Sequence, residues 1–209
     1  EGAEGWRILY ATTGADGDVR VASGLVVAPA QRAGALPVIA WTHGTTGIAP
    51  ECAPSALPDP FAAGALFALP QVIERGWALV ATDYPGLGAG PPHEYLVGRP
   101  AARAALDAVR AARRLGEVQL SGTTVAWGHS QGGGAALWVG AEAATYAPDV
   151  PLAGIAALAP ASDVVSLAAG LPESPSGSIF GSFVVEGYAR AYDDVDLDDY
   201  VRPTARTSV

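Results

Sequence analysis

The sequence contains no methionine and no lysine, a single cysteine (Cys52) and three histidines, His43, His93 and His129. Without a methionine, Glu1 is not a translation start, and a segment upstream of it, such as a signal peptide, is expected. Without lysine, all 12 cationic side chains are arginine against 21 acidic ones, for a net charge of -9. Nucleic-acid binding rests on clustered positive charge, so that class of partner is excluded. No apolar run approaches the ~20 residues that a membrane-spanning helix needs. The longest, over residues 77–82 and 152–161, fall well short and exclude a transmembrane segment of that kind. No glycine-rich phosphate loop follows a strand and no metal-ligand spacing occurs, so no cofactor or metal is indicated. The lone Cys52 reads either as an inert small hydrophobe or as the partner of a thiol outside the chain.

What remains is an apolar, small-residue chain, 50% hydrophobic over 209 residues, enough for one substantial core. Residues 6–12 and 19–27 are β-rich runs joined by Gly14-Ala15-Asp16-Gly17-Asp18, the chemistry of a hairpin turn. The continuous apolar run 38–41 predicts a central parallel strand covered on both faces. A helix follows over 61–75, stopped by Gly76, then a strand over 77–82. An alanine-rich helix with arginines along one side spans 101–115, with Gly116 as its stop. A third parallel strand over 123–127, a helix over 132–144 and a fourth strand over 152–158 complete the alternation. The fold class is therefore α/β, a mostly parallel, doubly wound sheet entered through an antiparallel hairpin.

Residues 1–162 form the N-terminal part of this core, and residues 163–209 read as the start of a lid insertion. In that insertion 170–177 is a loop and 179–192 a helix, whose Phe180, Phe183, Tyr188 and Tyr192 either pack or face acyl chains. The acidic run Asp193, Asp194, Asp196, Asp198 and Asp199 lacks the glycine and glutamate of a calcium loop and reads as a solvated turn.

One stretch carries chemistry. Residues 124–127 are an apolar strand running into Gly128-His129-Ser130-Gln131-Gly132, a G-x-S-x-G sequence followed by a small-residue helix. That is the nucleophile elbow of an α/β-hydrolase. A serine hydroxyl is a weak nucleophile unless held exposed on a strained turn beside a base. Gly128 and Gly132 permit the turn, and the N–H of Gln131 is the first donor to a developing oxyanion. The second donor is expected from the loop after the first central strand, His43-Gly44-Thr45-Thr46-Gly47, at Thr46 or Thr45. The triad order in this fold is serine, acid, histidine, yet no histidine follows Ser130. The base and the acid are thus expected beyond Val209, in a longer protein. His43 reads as shaping the first loop, His129 as pointing away from the serine, and His93 as lying in a proline-rich loop without a matching acid. Asp83 reads as a turn or cap residue, and Asp163 as a helix cap.

Four segments occur in order: Trp41-Thr42-His43-Gly44-Thr45-Thr46-Gly47, Cys52-Ala53-Pro54-Ser55, Ala81-Thr82-Asp83-Tyr84-Pro85-Gly86-Leu87-Gly88 and Gly128-His129-Ser130-Gln131-Gly132-Gly133. With them the chain resembles the secretory lipase family of α/β-hydrolases, the lipase-A type, over its N-terminal part. The resemblance implies a secreted, cofactor-free carboxylic ester hydrolase acting on acylglycerols and simpler esters, with a helical lid. It implies Ser130 as nucleophile, Gln131 as one oxyanion donor and Thr46 as the other, or Thr45 on a one-residue shift. It also implies that Cys52 is bridged to a later cysteine, in a C-terminal part that would supply the triad acid and histidine. Two other readings stay open: an acyltransferase on the same scaffold, and a non-catalytic lipid-binding or interaction module or inactive fragment.

Overall fold

The computed structural model describes residues 2–60, 68–171 and 175–202. In β1 (Ala3–Thr13), Ile8, Tyr10 and Thr12 are buried while Arg7, Leu9 and Ala11 are exposed, the period of two expected where only one sheet face is covered. It pairs antiparallel along its length with β2 (Val19–Pro29). In the turn between them Gly17 adopts a φ of 90° and the Asp16 carboxylate accepts from the Asp18 N–H at 2.9 Å.

The next strands are apolar on both faces because both faces are covered. In β3 (Leu36–Thr42) and β4 (Ala78–Thr82), Val38, Ala40 and Val80 join one core with Ile8 and Val26, packed beneath α2 (Gly98–Arg113) and α3 (Gln131–Tyr146). Their alternates Ile39, Trp41, Leu79 and Ala81 join a second core closed by Val72 of α1 (Leu69–Glu74). With β5 (Leu120–His129) and β6 (Leu152–Leu158) the sheet order is β1-β2-β4-β3-β5-β6. β4, β3, β5 and β6 run parallel, and β2 joins β4 antiparallel. The doubly wound α/β sheet with its antiparallel entry is as the sequence indicates.

Gly76 (φ 74°) follows α1 and Gly116 (φ 83°) follows α2, both as the expected stops. Part of the helix expected over 61–75 falls on residues 61–67, which lie outside the described residues. The arginines of α2 clasp it to α3. Arg103 and Arg99 meet Glu142, and Arg110 bonds Asp107 and the Tyr146 carbonyl while its guanidinium lies over the Tyr146 ring. Asp163 is a helix cap, as the sequence indicates: its carboxylate accepts from Ser166 N–H at 3.0 Å and opens α4 (Val164–Gly170), whose extent the sequence did not mark. At the C-terminal end of the expected loop over 170–177 the structure instead has the start of α5 (Pro175–Ala191), on a proline, a residue compatible with the first turn of a helix, while residues 172–174 lie outside the described residues.

Candidate active site

The carboxyl ends of the four parallel strands lie side by side, the place where ligands bind in open α/β sheets. Three non-glycine residues with positive φ sit just past strand ends there: Tyr84 (68°) after β4, Ser130 (55°) after β5 and Ala159 (40°) after β6. Such backbone strain concentrates at functional sites and persists only where the surroundings enforce it.

At Ser130 the enforcement is visible. Its N–H donates to the Leu158 carbonyl at 3.0 Å, and its carbonyl accepts from Gly134 N–H at 3.1 Å and Ala161 N–H at 2.9 Å. The Thr42 hydroxyl donates to the Gly132 carbonyl at 2.8 Å. A Cβ on Gly128 would overlap the Gly132 carbonyl and the Thr42 hydroxyl, and one on Gly132 would overlap the Thr42 carbonyl, so both elbow glycines are required by contact. Gln131 opens α3 directly after the serine and is buried.

The loop after β3 lies against this elbow. A Cβ on Gly44 would stand 3.3 Å from the His129 ring and 3.6 Å from the Ser130 Cβ. His43 is buried beneath the loop: its Nδ1–H donates to the Gly44 carbonyl at 2.6 Å and its Nε2 faces the Asp83 carbonyl at 3.3 Å. Burial pushes its pKa down, so the ring is neutral at pH 7. It shapes the loop, as the sequence indicates. Thr45 and Tyr95 share a hydroxyl–hydroxyl bond of 2.7 Å, whereas the Thr46 hydroxyl is buried.

A second loop, between β4 and α2, contributes His93, to which the sequence reading gave no role, and Tyr95, which it did not name. His93 is buried, with Nδ1–H donating to the Pro85 carbonyl at 2.9 Å and Nε2 accepting from the Gln131 side-chain N–H at 3.0 Å. Burial pushes its pKa down to about 4, which keeps Nε2 an acceptor at neutral pH. The Tyr84 ring lies between the two histidines, 4.5 Å from His43 and 5.7 Å from His93, and its hydroxyl donates to the His43 carbonyl at 2.9 Å. Tyr95 stands edge-on to His93 at 6.1 Å. Both buried histidines thus have their rings engaged within the scaffold. Nothing in local spacing signals the His93–Gln131 pair, which is 38 residues apart in sequence.

A model of the secretory lipase family matches residues 63–206. The chain belongs to the secretory lipase family. Over 86 residues it is 37% identical to a secreted triacylglycerol lipase of Malassezia furfur, an alignment covering 40% of this chain and 22% of that protein. Lipase 10 of Candida albicans is 28% identical over 148 residues, 66% of this chain and 30% of that lipase. Among solved structures, Candida antarctica lipase A superposes with a TM-score of 0.84 at 20% identity, over 99% of this chain and 49% of that one. The rice cell wall degrading esterase LipA of Xanthomonas oryzae gives 0.79 at 25% identity, over 93% and 54%. The chain therefore spans about half the length of these solved structures, and less of the curated relatives.

Two features of the chain differ from the expectations. Asp83 is neither a simple turn residue nor a helix cap. Its buried carboxylate accepts from the Ser23 hydroxyl at 2.6 Å, the Ser55 N–H at 2.9 Å and the Ser55 hydroxyl, tying β2, the Cys52-Ala53-Pro54-Ser55 turn and the strand-end loop together. Two of the four ordered motifs are thus joined by one carboxylate. Cys52 carries a free, partly buried thiol, and with one cysteine in the sequence the implied disulfide has no support. Its sulfur instead fills the space beside Gly47 (φ 134°), where a Cβ would collide with it.

Proposed function

We propose that this chain carries the nucleophile and the oxyanion hole of a secreted serine carboxylic ester hydrolase acting on acylglycerols or simpler esters. The observation that supports it is the strained, glycine-enclosed Ser130 with the His43–Gly47 loop packed against it. Ser130 Oγ attacks the ester carbonyl, forming the Oγ–C bond while its proton passes to a base. The carbonyl oxygen becomes an oxyanion held by the N–H groups of Gln131 and of Thr46, or of Thr45 on a one-residue shift. Collapse expels the alcohol, which takes the proton, and water then cleaves the acyl-enzyme. The base is a histidine oriented by an acid, both outside residues 1–209, in a further part of the same protein. Residues 1–162 belong to the catalytic core and 163–209 begin the lid. Phe183 of α5 meets Tyr95 edge-on at 5.7 Å, and Gly187 packs so closely on Tyr95 that a Cβ would come within 2.5 Å of its N. Secretion is inferred from the family and from the relatives named as secreted.

The test is covalent labelling with a serine-reactive fluorophosphonate followed by peptide mass analysis. The expected adduct is on Ser130 and is absent in Ser130→Ala. Labelling elsewhere, or ester hydrolysis that survives Ser130→Ala, would overturn the reading.

A further inference from the structure

The two loops that frame Ser130 are held by one short segment, His93-Glu94-Tyr95, from opposite ends. His93 bonds the side chain of Gln131 through Nε2 at 3.0 Å, and Tyr95 bonds the hydroxyl of Thr45 at 2.7 Å. Both residues are at most 4% exposed, so the segment is a rigid bracket and not a surface strap. We propose that His93 and Tyr95 are positioning residues that set the distance between the two oxyanion donors, one fixing Gln131 and the other fixing the first loop. The inference rests on the reading of Ser130 as nucleophile and adds to it residues that touch no substrate.

The physical need is clear from the geometry of the donors. Each N–H must sit 2.7–3.1 Å from where the oxyanion forms, and the two arise on separate segments, one after β3 and one after β5. The Gln131 N–H belongs to the peptide that leaves the strained Ser130. A hydrogen bond from the Gln131 side chain to a fixed imidazole restrains the rotation of that residue. His93 is itself pinned from the far side, because Nδ1–H is committed to the Pro85 carbonyl at 2.9 Å and its ring stacks on Tyr84. On the other loop the Thr45 hydroxyl is bonded to Tyr95, whose ring is wedged between His93 and Phe183 of α5. Seating of α5 on Tyr95 is thereby transmitted to the Thr45 side of the oxyanion hole, while His93 carries the same bracket to the Gln131 side. A misplacement of about 1 Å in such an array costs up to about 100-fold in rate.

The experiment uses the full-length enzyme and a short soluble p-nitrophenyl ester, with kcat and KM measured separately for His93→Gln, His93→Asn and Tyr95→Phe. Glutamine places an acceptor near the Nε2 position and can still receive the Gln131 N–H. Asparagine reaches only the Nδ1 position and keeps the Pro85 bond instead. If His93 positions Gln131, kcat falls about tenfold or more in His93→Asn with KM little changed, and His93→Gln recovers most of it. If the ring merely anchors the loop to Pro85, asparagine is the better replacement, and the proposal for His93 is overturned. Tyr95→Phe keeps the ring against Phe183 and loses only the hydroxyl, and is expected to lower kcat several-fold at unchanged KM, with a fall in melting temperature no larger than the loss of one hydrogen bond produces. Wild-type kcat in Tyr95→Phe overturns the Tyr95 half. Should an asparagine or glutamine variant fail to fold, Gln131→Met removes the same bond from its other end and is expected to match the kcat loss. A wild-type enzyme that hydrolyses the ester but is not labelled at Ser130 would bring down the reading of Ser130 together with this inference. Labelling at Ser130 with unchanged variants would bring down the inference alone.

Discussion

Acid is expected to loosen this protein through His93. Burial holds the folded ring's pKa at about 4 against an ordinary value of 6.5. The unfolded chain therefore takes up a proton first as the pH falls. The stability that the neutral ring confers is complete above about pH 6.5 and is lost progressively as the pH drops toward 4. With these two values the loss is about 2 kcal/mol between pH 7 and pH 5, and about 3 kcal/mol by pH 4. His43 is shifted downward for the same reason and titrates in the same direction, so the wild type alone reports the sum of two rings. Glu94, whose pKa burial raises, adds its own acid dependence. Comparison with His93→Gln removes the His93 ring together with its electrostatic influence on His43, while every other group is common to both proteins. Urea unfolding followed by tryptophan fluorescence at pH 7, 6 and 5 is the assay. The variant is expected to be the less stable protein at pH 7, with the gap closing by about 2 kcal/mol at pH 5. A gap that stays constant across this range would refute the account of a buried neutral imidazole.

Gly132→Ala drives a methyl group into the Thr42 carbonyl, a backbone atom that cannot swing aside. It is expected to cost about 1–3 kcal/mol or more, read as a lowered melting temperature, together with loss of fluorophosphonate labelling at Ser130. Asp83→Asn leaves the Ser23 and Ser55 donors sharing one carbonyl oxygen where a buried carboxylate served them all. A destabilisation of about 1–3 kcal/mol by urea unfolding is expected, and a melting temperature equal to wild type would refute the tie between the two motifs. Tyr146→Phe removes bonds to the Asp107 carboxylate at 2.7 Å and to the Thr13 hydroxyl at 3.0 Å. It is expected to lower stability by about 1 kcal/mol while Ser130 labels at the wild-type rate, because its partners lie in α2 and β1 and not at the strand ends.

The parts legible in the sequence are those written in a local period. Val38 to Trp41 and Ala78 to Ala81 alternate between two apolar faces, so each reads as a strand without reference to its neighbours. Gly76 and Gly116 terminate helices by their own backbone freedom, and Asp163 caps α4 through a residue three positions on. The elbow is legible for the same reason, since strand, serine and helix are contiguous. Of α4 only the cap was legible, because the helix is seven residues long and buries no side chain, so no periodic face marks its extent. The bracket around Ser130 was illegible on a different ground. Its bonds join residues 38 and 50 positions apart, from a loop whose composition is that of any turn.

That division follows from what a nucleophile elbow demands. Holding Ser130 at φ 55° and ψ -120° costs on the order of 1–3 kcal/mol, which its own short motif cannot supply. The compensating bonds come from Leu158 at the end of β6, from Ala161 just beyond it and from Thr42 at the end of β3, on either side of β5 in the sheet. Ala159, between the first two of these, is itself strained at φ 40°, so the turn that restrains the serine is in turn restrained by its own neighbours. A G-x-S-x-G sequence therefore states only that a strained serine is permitted. Whether the strain is sustained depends on the parallel neighbours β3 and β6 ending level with β5, which is a property of strand register. Here Thr42 pairs with Gly128 and His129 with Leu158, and that register is what brings the three loops to Ser130 at once.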